Sequence, residues 1–117
     1  MADVHTLELF AGQLTHGAWL TLFTVPTGFV YVPTCIDITA ELGATYGTSS
    51  GRITQDKTDT PLVLGFVVAL PVQYSRGFWH WQGRREISEG ASWYGWADPG
   101  DTNTVSLRIT GYKLTLP

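Results

Sequence analysis

Three histidines, one cysteine and a few acids are the residues here whose chemistry could be catalytic, and their spacing limits what they can do. His5 and His16 lie near the start, far in sequence from His80, which stands in Trp79-His80-Trp81. A metal site of the cupin kind uses a His-x-His pair, a following Glu and a later His. Here His80 is followed by Glu86 and by no further histidine. A bound metal needs three or four converging ligands, so His80 reads as a strand residue with a hydrogen-bonded ring. Glu86 with Glu89, and Asp98 with Asp101, are the close carboxylate pairs that glycoside hydrolysis would need. Both pairs lie in turn-like sequence, where acids serve solubility and capping, and two acids fall short of a calcium shell. Cys35 lies in an apolar run with no basic neighbour to lower its pKa, so it reads as a small core or interface residue. No serine sits in a nucleophile elbow and no glycine run forms a phosphate loop. The expectation is a protein that is not an enzyme and that uses neither cofactor nor metal.

Trp19, Trp79, Trp81, Trp93 and Trp96 are an unusual concentration for 117 residues. At strand spacing Trp79 and Trp81 share a face, whereas Trp93 and Trp96 point to opposite faces. Three readings of them compete. They fill a core, since each large aromatic buries much area. They anchor subunit contacts, where Trp and Arg concentrate and where Arg84 and Arg85 stand close by. Or they form a platform for stacking sugars, with Gln82 and Glu86 as polar neighbours. Trp79, Trp81, Trp93 and Trp96 are the candidate anchor or binding aromatics.

These residues must be positioned by strands. Hydrophobic residues make up 44% of the chain and charged ones only 15%, against roughly 25% charged in an average domain. That excludes disorder. The net charge of −3 and the scattered Arg and Lys argue against nucleic acid, which requires a basic stripe. No window approaches the roughly 18 apolar residues of a membrane helix. Met1-Ala2-Asp3-Val4-His5 has no basic or apolar leader character, which points to folding in a cytoplasm.

Thirteen Gly and six Pro punctuate short alternating runs, the pattern of an all-β chain. Phe29 to Ala40 is the clearest strand, with Val30, Val32, Ile36 and Ile38 on one face. Ala18 to Val25 is expected to join it as a hairpin through a type I turn at Val25-Pro26-Thr27-Gly28. Leu62 to Leu70 is apolar throughout and reads as a strand covered on both faces, by a neighbouring subunit or by the N-terminal segment. The stretch from Gly43 to Gly51 has loop composition and leads into a polar strand or hairpin tip at 52–60. Phe78–Trp81 and Ser92–Trp96 are further strands, and Asp98-Pro99-Gly100-Asp101 is expected to be a type II turn. At the end, Val105, Leu107 and Ile109 are out of phase with Tyr112, Leu114 and Leu116, which predicts a β-bulge near Gly111. The fold expected is a single antiparallel β-sandwich of seven or eight strands, jelly-roll or immunoglobulin-like. Residues 1–15 form an arm or edge strand, and residues 16–117 the sandwich.

The run Leu20-Thr21-Leu22-Phe23-Thr24-Val25-Pro26-Thr27-Gly28, followed by the Val30–Ile38 strand, resembles an opening found in small β-sandwich structural proteins of tailed bacteriophages. Ile87-Ser88-Glu89-Gly90 and Thr110-Gly111-Tyr112-Lys113-Leu114 are similar to later elements of those proteins. The acidic residue expected after Gly90 is absent, and the tryptophan-rich centre lies outside the pattern. The resemblance implies a virion component on the capsid surface, tail or baseplate. Its partners would be other virion proteins and copies of itself. Homo-oligomers, trimers among them, fit such sandwiches, although nothing in the sequence counts subunits. Leu7, Leu9, Phe10, Val63, Val67, Arg84 and Arg85 are the candidate interface residues. The alternative is a carbohydrate- or receptor-binding module, with a cell-surface glycan on the tryptophans.

Overall fold

The computed structural model describes residues 7–43, 47–55, 62–70, 76–100 and 102–117. Its strands are β1 (Leu7–Gln13), β2 (Leu20–Thr24), β3 (Phe29–Glu41), β4 (Gly47–Thr54), β5 (Leu62–Leu70), β6 (Arg76–Gln82), β7 (Ser92–Ala97) and β8 (Thr104–Thr115). They make two four-stranded antiparallel sheets, ordered β1-β8-β3-β6 (sheet A) and β2-β7-β4-β5 (sheet B). The first strand pairs with the eighth, the second with the seventh, the third with the sixth and the fourth with the fifth. One long hairpin rolled up on itself gives this nesting. It is the jelly-roll alternative of the sandwich, not the immunoglobulin one.

The rolling explains why local turn chemistry misleads at the β2–β3 connection. β2 pairs with β7 in sheet B and β3 with β8 and β6 in sheet A, so the expected hairpin is instead a corner between sheets. The Phe29 N–H donates to the Pro26 carbonyl at 3.2 Å, which shifts the turn one residue on from the expected one. Gly28 then occupies the third turn position with φ +89°, a left-handed value that glycine adopts without strain. Glu89 Oε2 accepts the Gly28 N–H at 2.7 Å and so ties this corner to the approach to β7. At Pro99–Gly100 the chain does turn, but Gly100 stays outside the left-handed region, so the turn is not type II. Asp101 lies outside the described residues.

The core lies between the sheets. Ile36, Ile38, Val105, Leu107 and Ile109 from sheet A meet Leu22, Phe23, Ile53, Phe66, Val68, Leu70 and Trp93 from sheet B. Trp93 is at its centre, 5.3 Å ring to ring from Phe23, which in turn packs at a tilt against Tyr31 at 5.5 Å. β5 alternates instead of being covered on both faces: Phe66, Val68 and Leu70 are buried, while Val67 is 60% exposed. Residues 7–13 form the edge of sheet A beside β8 and so do not cover β5. β4 begins at Gly47, so the second half of the expected loop is strand; the tip at 56–60 lies outside the described residues.

The bulge predicted near Gly111 falls in the strands on either side of it. β8 runs unbroken from Thr104 to Thr115, while register shifts occur between Pro33 and Cys35 on β3 and between Glu8 and Phe10 on β1. Pro33 has no N–H for a regular ladder, and β6 begins to pair with β3 only at Cys35, so the extra residue is absorbed there. The phase of β3 inverts across it. Phe29 and Tyr31 pack on the core before the shift, and Ile36 and Ile38 after it. Val30 is only partly buried, off the face expected for it.

Candidate functional site

The outer face of sheet A carries a row set by strand register: Ala11 opposite Arg108, Arg108 opposite Asp37, and Asp37 opposite His80. His80 faces outward because its neighbours Trp79 and Trp81 pack against the core. Cys35 and Asp37 face outward because Ile36 and Ile38 are buried. Register and alternation thus bring together three groups that are distant in sequence. His80 Nδ1 lies 2.6 Å from Asp37 Oδ1, the Cys35 thiol donates to Asp37 Oδ2 at 3.5 Å, and Cys35 Sγ lies 3.8 Å from His80 Nδ1. Beside them a shallow groove of about 570 Å³ runs over Ala11, Gln13, Asp37, Thr39, Ser106 and Arg108.

The electrostatics of this cluster follow from its contacts. The His80 hydrogen bond holds the Asp37 carboxyl below its usual range, against a smaller opposing effect of burial, with help from the Cys35 thiol and the charge of Arg108. Partial burial, followed by the neighbouring Asp37, pushes the Cys35 thiol up. A nucleophilic cysteine needs the reverse shift. In a catalytic triad the imidazole bridges its two partners through different nitrogens, whereas here Cys35 and Asp37 both approach Nδ1. This arrangement is not a nucleophile with its base. Sequence reading placed Cys35 in a core or interface, and the structure places it half-buried on this outer face. The sign available in the sequence was the alternation of Cys35 and Asp37 with buried isoleucines; the pairing with β6 was not visible.

A second polar and aromatic patch lies on the outer face of sheet B. Trp96 packs against Trp19 with ring centroids 6.0 Å apart and planes tilted by 35°, and the Arg52 guanidinium lies 4.3 Å over the Trp96 ring. Asp98 holds Arg52 at 3.2 Å and accepts the Ser50 hydroxyl. Gly65 lies opposite Arg52 across the β4–β5 pair, and its missing side chain leaves a shallow groove of about 430 Å³ lined by Ser50, Arg52, Gly65, Val67 and Asp98.

The remaining candidates are placed as follows. Trp93 is fully buried and serves the core, so it is no surface anchor. Trp79 and Trp81 pack on the core from sheet A, Trp79 against Phe66 at 6.3 Å, and only Trp96 of the four faces outward. Leu9, Phe10 and Val63 are partly buried against the core, while Leu7 is 41% exposed. Arg84 pairs with Glu86 at 3.1 Å on the surface, and Arg85 donates to the Val63 carbonyl at 3.3 Å. Glu89 serves the β2–β3 corner, and His5 lies outside the described residues. His16 sits between two backbone carbonyls, 2.7 Å from that of Asp98 and 2.6 Å from that of Asn103. No family model matches the sequence, and no curated protein matches it.

Proposed function

We propose that this protein is a non-enzymatic structural component that works by assembly with copies of itself and with other proteins of a tailed-phage virion, on the capsid surface or on the tail. The observation that carries the assembly reading is β5. It is the edge strand of sheet B, and its nine residues include no charge and no proline. Exposed strand edges are usually guarded by Lys, Pro or a bulge, because a bare edge recruits another strand; β5 has a register shift at Val63, near its start, and pairs regularly with β4 from Leu64 to Leu70. Here Arg85 meets the edge at the Val63 carbonyl, and Gly77 lies against the Ala69 carbonyl. Between those two points no described strand pairs with the free side of β5. An uncharged edge is compatible with itself, so its occupant is β5 of a second copy. The virion setting rests on the sequence resemblance alone.

Sedimentation over a concentration series tests this reading. Oligomers are expected for the native chain and monomers for Val67→Lys, which puts an ammonium group on an already exposed position of β5. A native chain that stays monomeric at high concentration and binds no other virion protein overturns the proposal.

The Trp96 patch favours a second reading, a glycan-binding module. An aromatic pair with an Arg–Asp pair beside a groove offers the kinds of group that hold a sugar ring. A Cβ at Gly65 would meet only the Gly51 carbonyl at 3.8 Å, so Gly65→Leu fills the groove with little cost to the fold. Glycan-dependent tryptophan quenching that vanishes in Gly65→Leu would support this reading, and silence across a broad glycan panel would end it.

A further inference from the structure

We propose that Cys35, Asp37 and His80 form a binding site for a zinc-class divalent cation on the outer face of sheet A. Their ligand atoms all lie within 4.8 Å of one another. Tetrahedral zinc with ordinary bond lengths sets ligand pairs about 3.6 Å apart for sulfur to oxygen or nitrogen, and about 3.3 Å apart for nitrogen to oxygen. The chain already holds Sγ 3.5 Å from Oδ2 and 3.8 Å from Nδ1. His80 Nδ1 meets the other carboxylate oxygen, Oδ1, at 2.6 Å, in a hydrogen bond that an ion would replace, so the carboxylate must turn to present one oxygen to both neighbours. The three donors already surround one point on the sheet surface, and small side-chain rotations would bring them to coordinating distances.

The donor set selects the class of ion. One thiolate, one imidazole and one carboxylate suit zinc and its borderline neighbours, while calcium or magnesium would need more oxygen. Three protein ligands leave a coordination position open. Asp37 also lines the 570 Å³ groove, which puts the ion at the rim of that groove. The backbone already holds the three donors side by side, since Asp37 and His80 are register partners and Cys35 lies two residues from Asp37 on the same strand. Binding converts the thiol to a thiolate and releases its proton, so affinity rises with pH. The charged groups nearby are Arg108, the register partner of Asp37, and Glu8, which holds Arg108 at 3.4 Å. Glu8 offsets the cation that would otherwise oppose the ion.

Cobalt and zinc test the site in the intact chain. Titration with Co²⁺ should give thiolate-to-cobalt charge-transfer absorption that saturates at one ion per chain and is displaced by Zn²⁺. Cys35→Ser should abolish that band, and Asp37→Asn and His80→Gln should each weaken binding by about tenfold or more, as the loss even of outer partners does. Glu86→Gln, away from the cluster, should leave it unchanged. All three ligand side chains are at least partly exposed, so the variants should keep the native circular dichroism. A second measurement needs no variant: stoichiometric Zn²⁺ should slow alkylation of Cys35 in the native chain. Absence of the charge-transfer band, or unchanged Cys35 alkylation with zinc present, overturns the proposal. So does Co²⁺ affinity that survives in Cys35→Ser.

Discussion

At the centre of the core the indole of Trp93 is completely buried, and its N–H meets no acceptor among the described residues. Its contribution is therefore that of a large apolar volume reduced by an unmet donor, which costs about 1–3 kcal/mol. Trp93→Ala should destabilise the fold by about 3–5 kcal/mol in urea unfolding. Trp93→Phe should cost clearly less, because it keeps much of the ring volume while removing the unmet donor. A Phe variant as costly as Trp93→Ala would show that the smaller ring does not fill the site. Asp37 makes a second prediction at this scale. Its carboxyl is held below the ordinary value of 3.8, chiefly by the His80 hydrogen bond. A depressed carboxyl pKa stabilises the fold above pH 3.8, and that stabilisation is lost as pH falls through the lower native value. With both side chains half exposed the effect stays below about 1 kcal/mol. An NMR titration should place the Asp37 midpoint below that of a free aspartate, and His80→Gln should raise it toward 3.8.

Among the connections between elements, Asn103 does the most polar work. It is buried, its Oδ1 accepts the Gly43 N–H at 2.8 Å, and its Nδ2 donates to the Ser49 hydroxyl at 3.1 Å. It thereby fastens the end of β3 and the start of β4 to the entry of β8, with His16 on its carbonyl. Asn103→Ala removes both bonds from a buried position and should cost about 1–3 kcal/mol; a cost near zero would show that water substitutes there. Nothing in the sequence marks this asparagine, because its partners are fixed by the roll of the sheets. The strands themselves were legible from alternation and from Gly and Pro punctuation, and β3, β6 and β7 fall close to where the pattern puts them. What periodicity could not supply is which strand lies beside which. The Pro26–Gly28 turn looks the same whether it closes a hairpin or a corner, so the pairing of β2 was missed. The Cys35–Asp37–His80 cluster was missed for the same reason, since it exists only in the β3–β6 register.

On the scale of the whole molecule, the sandwich is thin and elongated, 51 × 28 × 18 Å, with a radius of gyration of 15.1 Å. A compact domain of this length would have about 13.4 Å. A flattened shape with little charge leaves more surface per residue and fewer ions to keep that surface in water, which is in keeping with the proposed assembly. The chemistry of the proposed association can be read from its salt dependence. Contacts made by an uncharged edge strand and apolar side chains carry no ionic attraction for salt to screen. Hydrophobic contacts are strengthened by excluded salts such as sulfate. Sedimentation equilibrium should therefore give an association constant that holds steady as sodium chloride rises and increases with ammonium sulfate. A constant that falls steeply with sodium chloride would assign the contact to charged groups and remove β5 from it.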